Sequence, residues 1–572
     1  MISRARAIET LTAERFDVAV IGGGVTGAGV ALDAASRGYS VALLERADFA
    51  AGTSSRSSKL VHGGLRYLQN FDLGLVREAL LERQLLVKLA PHLVKPLPIV
   101  VATFDGARPD RLMGIGLNMY DVMAAPWLGR PRVRGRWARR ATGQPSSGDA
   151  LSSVAVEDLE SDWSPARHRV IAGEEVLELL PALARREPTG GYLFYDCQTD
   201  DSRLVLTILG EAERFGAICA NRLEVIEVCG ADWPTGPGVR ARDVETGEEL
   251  TVRADSVVNA TGVWADRIRP EELHSEAEVP TIVPSRGTHV ILAHDDLPMR
   301  AGAIVPAGEG RSIFALPWLG HALIGTTDDT YHGEIEHVRP APGDIEYLLD
   351  ATNSFFGTEL GVGDLRGAFA GVRPLISSGD ARKSVDISRK AELYETSSGM
   401  ITITGGKLTT WRRMAKLAVD RLVERDGREA PCRTHEIPLG QPVPPQELSR
   451  VIGLREDSYS VLADRYGLAA EKVLEIAGER PQLAAPILPG FPDLLAEAVY
   501  SARDEQARSI ADVLLRRTRL GLIAGRAVTS PASEAPARVA RALSGELAWS
   551  EHRVEVELER FAAEARAEGI AG

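Results

Sequence analysis

Cysteine is scarce in this sequence, and so are long apolar runs. The chain has 572 residues but only four cysteines, with no CxxC pair among them. That spacing supports neither a disulfide framework nor a structural metal site, so we expect no metal and a reducing compartment. No stretch approaches the roughly 18 consecutive apolar residues of a membrane-spanning helix. The first fifteen residues also lack the apolar stretch of a signal peptide.

An excess of positive charge is missing as well. The net charge of −14 argues against a nucleic-acid partner, because the phosphates would be repelled. The composition, 44% hydrophobic and 26% charged, is that of an ordinary soluble globular protein. A chain of this length exceeds one hydrophobic core, so two or three domains are expected. We expect a cytoplasmic protein that crosses no membrane, although it can lie on the inner face of the cell membrane.

The N-terminal part of the sequence predicts a dinucleotide site. FDVAVIGGG is typical of a short buried strand that runs into a glycine turn, residues 25–37 have helical composition, and YSVALLE predicts a second buried strand. Gly22 permits the tight turn, Gly24 lets the backbone approach a pyrophosphate, and Gly27 lets helix and strand pack closely. Glu45 lies 18 residues past Gly27, near the ~20 expected for a carboxylate that bonds a ribose hydroxyl.

The next segment favours FAD over NAD as the dinucleotide. Residues 52–59, GTSSRSSK, follow the second strand at once and are dense in hydroxyl groups and cations. Such a loop can wrap a second nucleotide face and a flavin ring, whereas a simple NAD domain would continue into another crossover. The sequence NATG at 259–262 closes an apolar strand and adds a second signal, although by itself it is better explained by a plain strand-ending turn.

Several motifs then occur together and in a fixed order. They are GTSSRSSKLVHGGLRYL (52–68), the strand ending in NATG, IGTTD (324–328), GVRPL (371–375) and GGKLTTWR (405–412). In this combination the chain resembles the FAD-dependent glycerol-3-phosphate dehydrogenases of the aerobic respiratory type. The resemblance runs from about residue 16 to 425, and the helical tail matches the family's C-terminal cap. Members of the wider amino-acid-oxidase-like group share the glycines but not the long first block.

The fold expected on these grounds is α/β, with three parts. A Rossmann-type FAD-binding domain is joined to a mixed-sheet substrate domain and an all-helical C-terminal cap. The predicted FAD-binding segments are 16–80, 191–270 and 366–428, the substrate-domain segments are 81–190 and 271–365, and the cap is 440–572. Residues 130–165 are expected to be an insertion in the substrate domain. We also expect a homodimer, and whether the cap forms its subunit contact is open.

Oxidation of a secondary alcohol by hydride transfer requires a base for the hydroxyl proton. His62 lies in the block expected beside the flavin, and an imidazole with a pKa near ~6.5 suits proton abstraction near neutral pH. From the residues alone, a packing histidine at a strand end is the better interpretation. The resemblance favours the base. His289, in the strand GTHVIL, is the competing candidate and otherwise a substrate-binding residue.

Binding a phosphate dianion favours arginine, whose planar fork can hold two oxygens. The resemblance assigns substrate contacts to Arg66, Tyr67, Arg373 and Arg389. Any single arginine in this chain is more often a surface ion-pair partner. Arg373 departs from that expectation most clearly, because its neighbours in GVRPL fix the backbone beside an apolar turn, and it is also proposed as catalytic.

Lys407 begins an amphipathic helix directly after the strand MITITGG. A helix N-terminus aimed at the flavin would stabilise the negative charge that reduction creates, and Lys407 would add a full charge or reach the substrate phosphate. One departure from the family pattern is Trp411, where many relatives have tyrosine. The residues expected to bind FAD are Gly22, Gly24, Gly27, Glu45, Arg46, Thr53, Ser54, Ser55, Ser58, Lys59, Leu60, Thr261, Gly262, Gly406, Lys407, Leu408 and Thr409.

Residues 130–140 stand out from the otherwise acidic chain. Six of the eleven are arginine, with Trp137 among them. Basic residues around an aromatic suit an anionic bilayer, each charge contributing about 1 kcal/mol there. A solvated insertion is an equally good interpretation, because a Gly/Ser/Pro run follows.

The resemblance implies that sn-glycerol 3-phosphate is oxidised to dihydroxyacetone phosphate and that electrons pass to a membrane quinone. Three alternatives stay open. The chain could be a glycerol-3-phosphate oxidase that uses oxygen, or an FAD-dependent 2-hydroxy-acid dehydrogenase. It could also be a flavin-bound regulator without turnover, which the joint presence of His62, Arg373 and Lys407 argues against.

Overall fold

The computed structural model of the chain describes residues 1–65, 72–105, 111–124, 167–230, 232–234, 236–270, 275, 278–308, 310–377 and 391–570. Two sheets dominate this part of the chain. The strands of the first sheet are β1 (Arg15–Ile21), β2 (Val41–Leu44), β7 (Ile218–Ala220), β8 (Leu223–Cys229), β9 (Gly238–Asp243), β10 (Glu249–Asn259), β17 (Ala391–Glu395) and β18 (Ile401–Gly405). The strands of the second are β3 (Leu60–Val61), β4 (Lys95–Thr103), β5 (Arg169–Ala172), β6 (Gly190–Gln198), β11 (Ile282–Ala293), β12 (Gly302–Pro306), β13 (Ser312–Trp318), β14 (His321–Gly325), β15 (Asp329–Thr330) and β16 (Leu365–Ile376).

Helices cover both sheets. The α-helices are α1 (Arg4–Ala13), α2 (Val25–Ser36), α3 (Leu73–Leu89), α4 (Arg111–Ala124), α5 (Gly173–Leu179), α6 (Asp201–Arg214), α7 (Pro342–Phe356), α8 (Trp411–Arg425), α9 (Glu456–Tyr466), α10 (Ala470–Glu479), α11 (Leu495–Asp504), α12 (Leu520–Ile523), α13 (Gly525–Thr529), α14 (Ala535–Leu547) and α15 (Glu551–Ala567). A π-helical turn covers Asp512–Arg517. In the described part of the chain, no helix is both long enough and apolar enough to cross a bilayer.

The first sheet has the order β17-β18-β10-β1-β2-β7, and β1 pairs in parallel with both β2 and β10. All four residues of β2 are buried, as expected for a parallel strand covered on both faces. On one face α2 packs between α6 and α8, and on the other face α1 contributes the buried side chains of Ala7 and Leu11. The glycine turn follows β1 at the carboxyl edge of this sheet.

The second sheet is mixed and has the order β15-β11-β14-β13-β12-β4-β6-β3, with β16 paired to β11 and β5 to β6. One apolar core joins this sheet to the C-terminal helices, since Ile291, Leu316 and Phe369 belong to the same cluster as Leu514 and Leu543. The α/β fold with a mixed second sheet and a helical C-terminal region is therefore confirmed.

Three predicted domain segments cross from one sheet to the other. Strand β3 lies inside the first predicted FAD-binding segment, and β6 and β16 open the second and third. All three strands pair in the second sheet. The predicted segments therefore do not follow the sheet pairing, because a buried apolar strand carries no local signal for the sheet it joins, which depends on long-range pairing.

Buried ion pairs fasten the C-terminal region to the first sheet. Asp48, which follows β2, accepts hydrogen bonds from Arg516 at 2.7 Å and Arg517 at 2.8 Å. Arg519 likewise pairs with Asp200 at 2.6 Å and with Asp201. An unpaired charge in such a position would cost several kcal/mol, so these contacts fix how the helices sit on the cofactor-binding half.

Candidate active site

A cavity of about 610 Å³ opens where β1 and β2 end, at the carboxyl edge of the parallel sheet. Ligands of open α/β sheets bind at this edge. Eleven of the residues predicted to bind FAD line the cavity. They are Gly22, Gly24, Glu45, Arg46, Thr53, Ser54, Thr261, Gly262, Gly406, Lys407 and Leu408.

The glycine turn is shaped by close backbone approaches. Gly22 has φ of 108°, and a Cβ on it would lie 2.8 Å from the carbonyl oxygen of Ala260. A Cβ on Gly27 would lie 1.9 Å from the carbonyl oxygen of Gly22, so α2 reaches its position against β1 only with glycine there. The side chain of Ser54 closes the turn from the other side by accepting a hydrogen bond from Val25 N at 2.9 Å.

Glu45 is fixed by two backbone donors. Its carboxylate accepts hydrogen bonds from Gly23 N at 2.6 Å and Ala47 N at 2.7 Å. Burial raises the pKa of Glu45, and the two N–H groups oppose that shift. A carboxylate held in this orientation at the cavity wall can accept hydrogen bonds from a ribose.

Six other predicted cofactor residues do not line this cavity: Gly27, Ser55, Ser58, Lys59, Leu60 and Thr409. Lys59 shows why. Its ammonium is fully buried and pairs with Asp201 at 2.8 Å, behind the loop instead of facing the cavity. Leu60 lies in β3, and Thr409 Oγ1 accepts a hydrogen bond from His62 N at 3.1 Å. These six act on the shape of the site or its neighbours.

The sequence reasoning missed a cluster at the rim of the cavity. Trp264 and Arg267 line it, and the guanidinium of Arg46 lies 5.1 Å from the Trp264 ring centroid. Glu336, from a loop of the second sheet's half, accepts hydrogen bonds from Trp264 Nε1 at 3.3 Å and Arg267 at 3.0 Å. The position of Trp264 two residues after NATG was the available signal.

His289 and Arg373 lie on one face of the second sheet. Strands β11 and β16 are antiparallel, with Ser285 opposite Arg373 and His289 opposite Phe369. This face meets the loop of residues 52–59, because Ser58 Oγ lies 2.9 Å from His289 Nε2. In the same loop, Thr53 Oγ1 donates to the carbonyl of Val372 at 2.6 Å. The two sheets are thus joined at the predicted substrate residues.

His289 is buried and neutral. Its ring stacks on Phe369 with centroids 4.8 Å apart, and Nε2 lies 2.9 Å from Ser58 Oγ. Burial lowers the pKa of His289 well below its usual value, and the positive charges of Lys59 and Arg373 add to that effect. A neutral imidazole in this position can position a substrate but is a weak base.

Arg373 reaches toward the turn after β14. Its guanidinium lies 3.4 Å from Asp328 Oδ1 and donates to Thr326 Oγ1 at 3.0 Å and to the carbonyl of Thr327 at 3.1 Å. A Cβ on Gly287 would lie 2.6 Å from Arg373 Nη2, so the glycine leaves the space that the guanidinium occupies. The arginine is therefore held by several polar partners in a fixed orientation.

Lys407 follows the end of β18 in the first sheet, whereas His62 follows β3 of the second sheet and is not among the residues that line the cavity. Lys407 lines the cavity and precedes the short helical turn Leu408–Thr410, which continues into α8. His62 follows β3 and makes an edge-to-face contact with Phe314, with ring centroids 6.5 Å apart. Lys407 also lies close enough to Glu78 on α3 to affect its ionisation. Burial raises the pKa of Glu78, and the positive charges of Arg413 and Lys407 oppose that rise.

Three predicted substrate residues, Arg66, Tyr67 and Arg389, lie outside the described residues, as does the arginine-rich segment 130–140. Within the described ranges, no group of three or more His, Cys, Asp or Glu side chains is arranged to hold a metal ion. The four cysteines are free thiols.

The cavity fits an FAD. The close approaches at Gly22 and Gly27 leave the backbone exposed to a pyrophosphate at the start of α2, where unpaired N–H groups favour anions. Glu45 would accept hydrogen bonds from the ribose, and Lys407 and Leu408, at the start of the turn before α8, line the same cavity. When bound, FAD supplies the hydride acceptor, and the chain supplies binding and orientation.

Comparison with known proteins agrees with this geometry. Residues 17–421 match the family described as FAD dependent oxidoreductase, and residues 432–554 match the C-terminal domain of alpha-glycerophosphate oxidase. Glycerol-3-phosphate dehydrogenase 2 of Mycobacterium tuberculosis is 35% identical, over 99% of this chain and 90% of the relative. The mitochondrial glycerol-3-phosphate dehydrogenase of Rattus norvegicus is also 35% identical, over 97% of this chain and 74% of the relative.

The fold has a solved counterpart. The crystal structure of the glycerol-3-phosphate dehydrogenase from Bacillus halodurans complexed with FAD matches with a TM-score of 0.74 and 27% identity, over 99% of this chain and 97% of the other. The resemblance seen in the motifs is thus confirmed along the whole chain, and the predicted cofactor, FAD, is confirmed with it. The chain belongs to the family of FAD-dependent glycerol-3-phosphate dehydrogenases.

Proposed function

We propose that this chain oxidises sn-glycerol 3-phosphate to dihydroxyacetone phosphate and passes the electrons on to a membrane quinone. The observation that carries the proposal is a cation in the wall of the cofactor cavity, since Lys407 lines it. A second cation, Arg373, lies on the face of the second sheet that meets the 52–59 loop, where His289 Nε2 lies 2.9 Å from Ser58 Oγ. Cations beside a flavin site suit an anionic, phosphorylated alcohol.

The reaction requires little from the chain beyond a base and fixed charges. The carbinol carbon loses a hydrogen with its two electrons, the hydroxyl loses a proton, and the alcohol becomes a ketone. Bound FAD would supply the acceptor for that hydride. The protein's residues therefore hold the phosphate, orient the carbinol and take up the proton.

His62 is the proposed base. His289 competes for this role, but its lowered pKa makes it a poor proton acceptor, and its Nε2 already lies against Ser58 Oγ. His62 is tied through its backbone to Thr409, which follows Lys407 in the turn at the cavity. We therefore assign proton abstraction to His62 and a positioning role to the neutral His289.

Phosphate binding is proposed for Arg373 and Lys407, together with Arg66, Tyr67 and Arg389. Arg373 is oriented by Asp328, Thr326 and Thr327, and its donors are shared with them. The substrate's phosphate would accept some of the hydrogen bonds that Arg373 now donates to these residues. The guanidinium is therefore already oriented to bind an anion, and it keeps hydrogen-bond partners when no substrate is bound.

One experiment tests the reaction and the base together. Anaerobic enzyme is mixed with glycerol 3-phosphate, and the oxidised flavin bands are followed for the wild type, His62→Gln and His289→Gln. We expect bleaching of the wild type, a loss of roughly 10²-fold or more in rate for His62→Gln, and a smaller loss for His289→Gln. No bleaching by glycerol 3-phosphate, with bleaching by another hydroxy acid or an amine, contradicts the substrate assignment.

The acceptor has one competing candidate, molecular oxygen. The match of residues 432–554 to a domain described from alpha-glycerophosphate oxidase favours that candidate. The reduced enzyme is therefore divided and reoxidised with a quinone or with air. Rapid quinone reduction with little peroxide supports the dehydrogenase, and stoichiometric peroxide supports the oxidase.

Peripheral membrane association and a homodimer belong to the same proposal. A quinone acceptor resides in the bilayer, so an enzyme that reduces it must reach the bilayer surface. Deleting residues 130–140 should move the protein from the membrane fraction to the soluble one. Unchanged sedimentation would exclude a membrane role for that segment.

A further inference from the structure

Thr409 bonds both polar backbone atoms of the proposed base, His62. Its hydroxyl accepts a hydrogen bond from His62 N at 3.1 Å and donates one to the His62 carbonyl oxygen at 3.2 Å. Thr409 is buried and belongs to the turn Leu408–Thr410, whose first residue lines the cofactor cavity. The backbone of His62 is therefore tied to the turn that forms part of the cofactor site.

A second group holds the next residue, Gly63. Gly63 N donates a hydrogen bond to Tyr120 Oη at 2.9 Å and lies 3.3 Å from Asp196 Oδ1. Tyr120, on α4, donates in turn to the same Asp196 oxygen at 2.6 Å. A Cβ on Gly63 would lie only 2.6 Å from Tyr120 Oη, so the phenol reaches the backbone because residue 63 has no side chain.

A buried ion pair fixes the acceptor at the end of this chain of hydrogen bonds. Arg83 of α3 donates to Asp196 of β6 and, at 2.7 Å, to the carbonyl oxygen of Tyr195. Arg83, Tyr120 and Asp196 are each no more than 2% exposed, and the guanidinium lies 5.5 Å from the Tyr120 ring centroid. Either charge alone would be strongly disfavoured in the interior, so the pair holds both groups in place.

Tyr120 stays protonated in this environment. Burial raises the pKa of Tyr120 well above its usual range, and the negative charge of Asp196 adds to that rise. A phenol has one hydrogen to donate and lone pairs with which to accept. Its hydrogen goes to Asp196 and a lone pair takes the Gly63 N–H, so the order of donors and acceptors is fixed.

Three polar backbone atoms at the proposed base are held in this way: His62 N, His62 O and Gly63 N. The backbone decides where the imidazole starts, and proton abstraction requires a base within hydrogen-bond reach of the hydroxyl. None of Tyr120, Asp196 and Arg83 is among the described residues that line the cofactor cavity. Their contact with the site runs through the backbone that carries His62.

We propose that Thr409 and the linked side chains of Tyr120, Asp196 and Arg83 are positioning residues that set the His62 imidazole for proton abstraction. The inference rests on the proposed function, in which His62 takes up the hydroxyl proton. A displacement of about 1 Å can cost on the order of 10²-fold in rate, even when its cause lies away from the reacting atoms. Loss of one of these hydrogen bonds should therefore slow flavin reduction without weakening substrate binding.

The test compares two tyrosine variants by anaerobic stopped-flow reduction of the flavin. Tyr120→Phe keeps the ring and removes the hydroxyl. The matched control is Tyr466→Phe at the end of α9, because Tyr466 is also buried, donates to the buried carboxylate of Glu497 at 3.0 Å and has its ring centroid 4.4 Å from the Arg203 guanidinium. Each substitution is made in the wild type and in His62→Gln, and glycerol 3-phosphate is varied to separate the limiting rate from the apparent Kd.

Thr409→Val and Thr409→Ser provide an independent pair of variants. Valine is close to threonine in shape but has no hydroxyl, whereas serine keeps the hydroxyl. Flavin content and melting temperature are measured for every protein, so that a loss of cofactor or of folded protein is not mistaken for a slower reaction.

We expect Tyr120→Phe and Thr409→Val to lower the limiting rate about tenfold, with the apparent Kd within about twofold of the wild type. Tyr466→Phe and Thr409→Ser should stay within about twofold of the wild-type rate. In the His62→Gln background, Tyr120→Phe should lower the rate no further, because a residue that acts through His62 then has nothing left to position.

Unchanged limiting rates for both Tyr120→Phe and Thr409→Val would overturn the inference, as would an equal loss from Tyr120→Phe in both backgrounds. A change confined to flavin content or melting temperature would assign these residues a structural role and overturn it as well. A wild-type rate for His62→Gln, or no reduction of the wild type by glycerol 3-phosphate, contradicts the proposed function, and the inference with it. The two failures are distinguishable, because the second is seen in proteins whose positioning residues are intact.

Discussion

Asp201, at the first turn of α6, holds the loop on which the cofactor cavity depends. Its carboxylate accepts hydrogen bonds from Ser57 N at 3.0 Å, Ser57 Oγ at 2.7 Å, Lys59 Nζ at 2.8 Å and Ser202 N at 2.9 Å. Arg519 of the C-terminal region donates to it as well. Each of these hydrogen bonds is lost or weakened when the carboxylate becomes an amide. Asp201→Asn should therefore loosen both the loop and the C-terminal helices.

The expected magnitude follows from burial. Both Asp201 and Lys59 are fully buried, and removing one partner of a buried pair typically costs about 3–5 kcal/mol, because the other charge is left uncompensated. The unfolding entropy of a 572-residue chain is about 1.2 kcal/mol per kelvin when it unfolds as one unit. Asp201→Asn should therefore lower the melting temperature by about 3 °C and reduce the FAD retained through purification.

The assay is differential scanning calorimetry with flavin absorbance on the same samples. Asp255→Asn is the matched control, because Asp255 pairs with Arg15 at the surface, where both side chains are about half exposed. Its effect should stay within about 0.5 kcal/mol. Adding Lys59→Met to Asp201→Asn removes the stranded cation, so the double variant should lose less stability than the sum of the single variants. A melting temperature of Asp201→Asn equal to that of the control, or strict additivity in the double variant, would refute this reasoning.

Two further predictions concern the glycine turn and the C-terminus. Gly27→Ala should retain little FAD, as measured by the ratio of flavin to protein absorbance, because its Cβ would lie 1.9 Å from the Gly22 carbonyl oxygen. The control Gly210→Ala places its Cβ in open space on α6. It should retain FAD and gain up to about 1 kcal/mol of folding stability. Burial would raise the pKa of Glu568, but the charge of Arg56 chiefly lowers it, to about 2. The Glu568–Arg56 ion pair therefore stabilises the fold at pH 7, and that contribution is lost as the pH falls from about 5 to 2. Glu568→Gln should melt below wild type at pH 7, with a difference that narrows at pH 4; a constant difference contradicts the assignment.

The sequence predicted the elements of the cofactor half well because its signals are local. Strand β1, the glycine turn, α2 and β2 follow one another without interruption, and each has a short-range physical signature. Glu45 could be placed by counting from Gly27. The helical character of the C-terminal region could also be read from its pattern.

What could not be predicted depends on contacts between distant parts of the chain. Nothing near Lys59 indicates that its ammonium turns away from the cavity, because Asp201 lies 142 residues further on. The neutral state of His289 likewise results from burial and from the charges of Lys59 and Arg373, which tertiary packing brings together. The sequence was enough to predict which segments form helices and strands. It was not enough to predict where the buried charged side chains point.

The loop from Gly52 to Val61 explains why one stretch of sequence pointed so directly to the function. Gly52 and Thr53 line the cofactor cavity, Lys59 sits in the buried ion cluster, and Leu60–Val61 is already a strand of the second sheet. The proposed base is the next residue. Within ten residues the chain lines the cofactor cavity, then contributes a buried ion pair, and then enters the sheet that carries the proposed substrate residues. A substitution that suits one of these roles must therefore also be compatible with the other two. The loop's sequence is therefore constrained by the whole site, which the glycine turn alone, shared by any dinucleotide fold, is not.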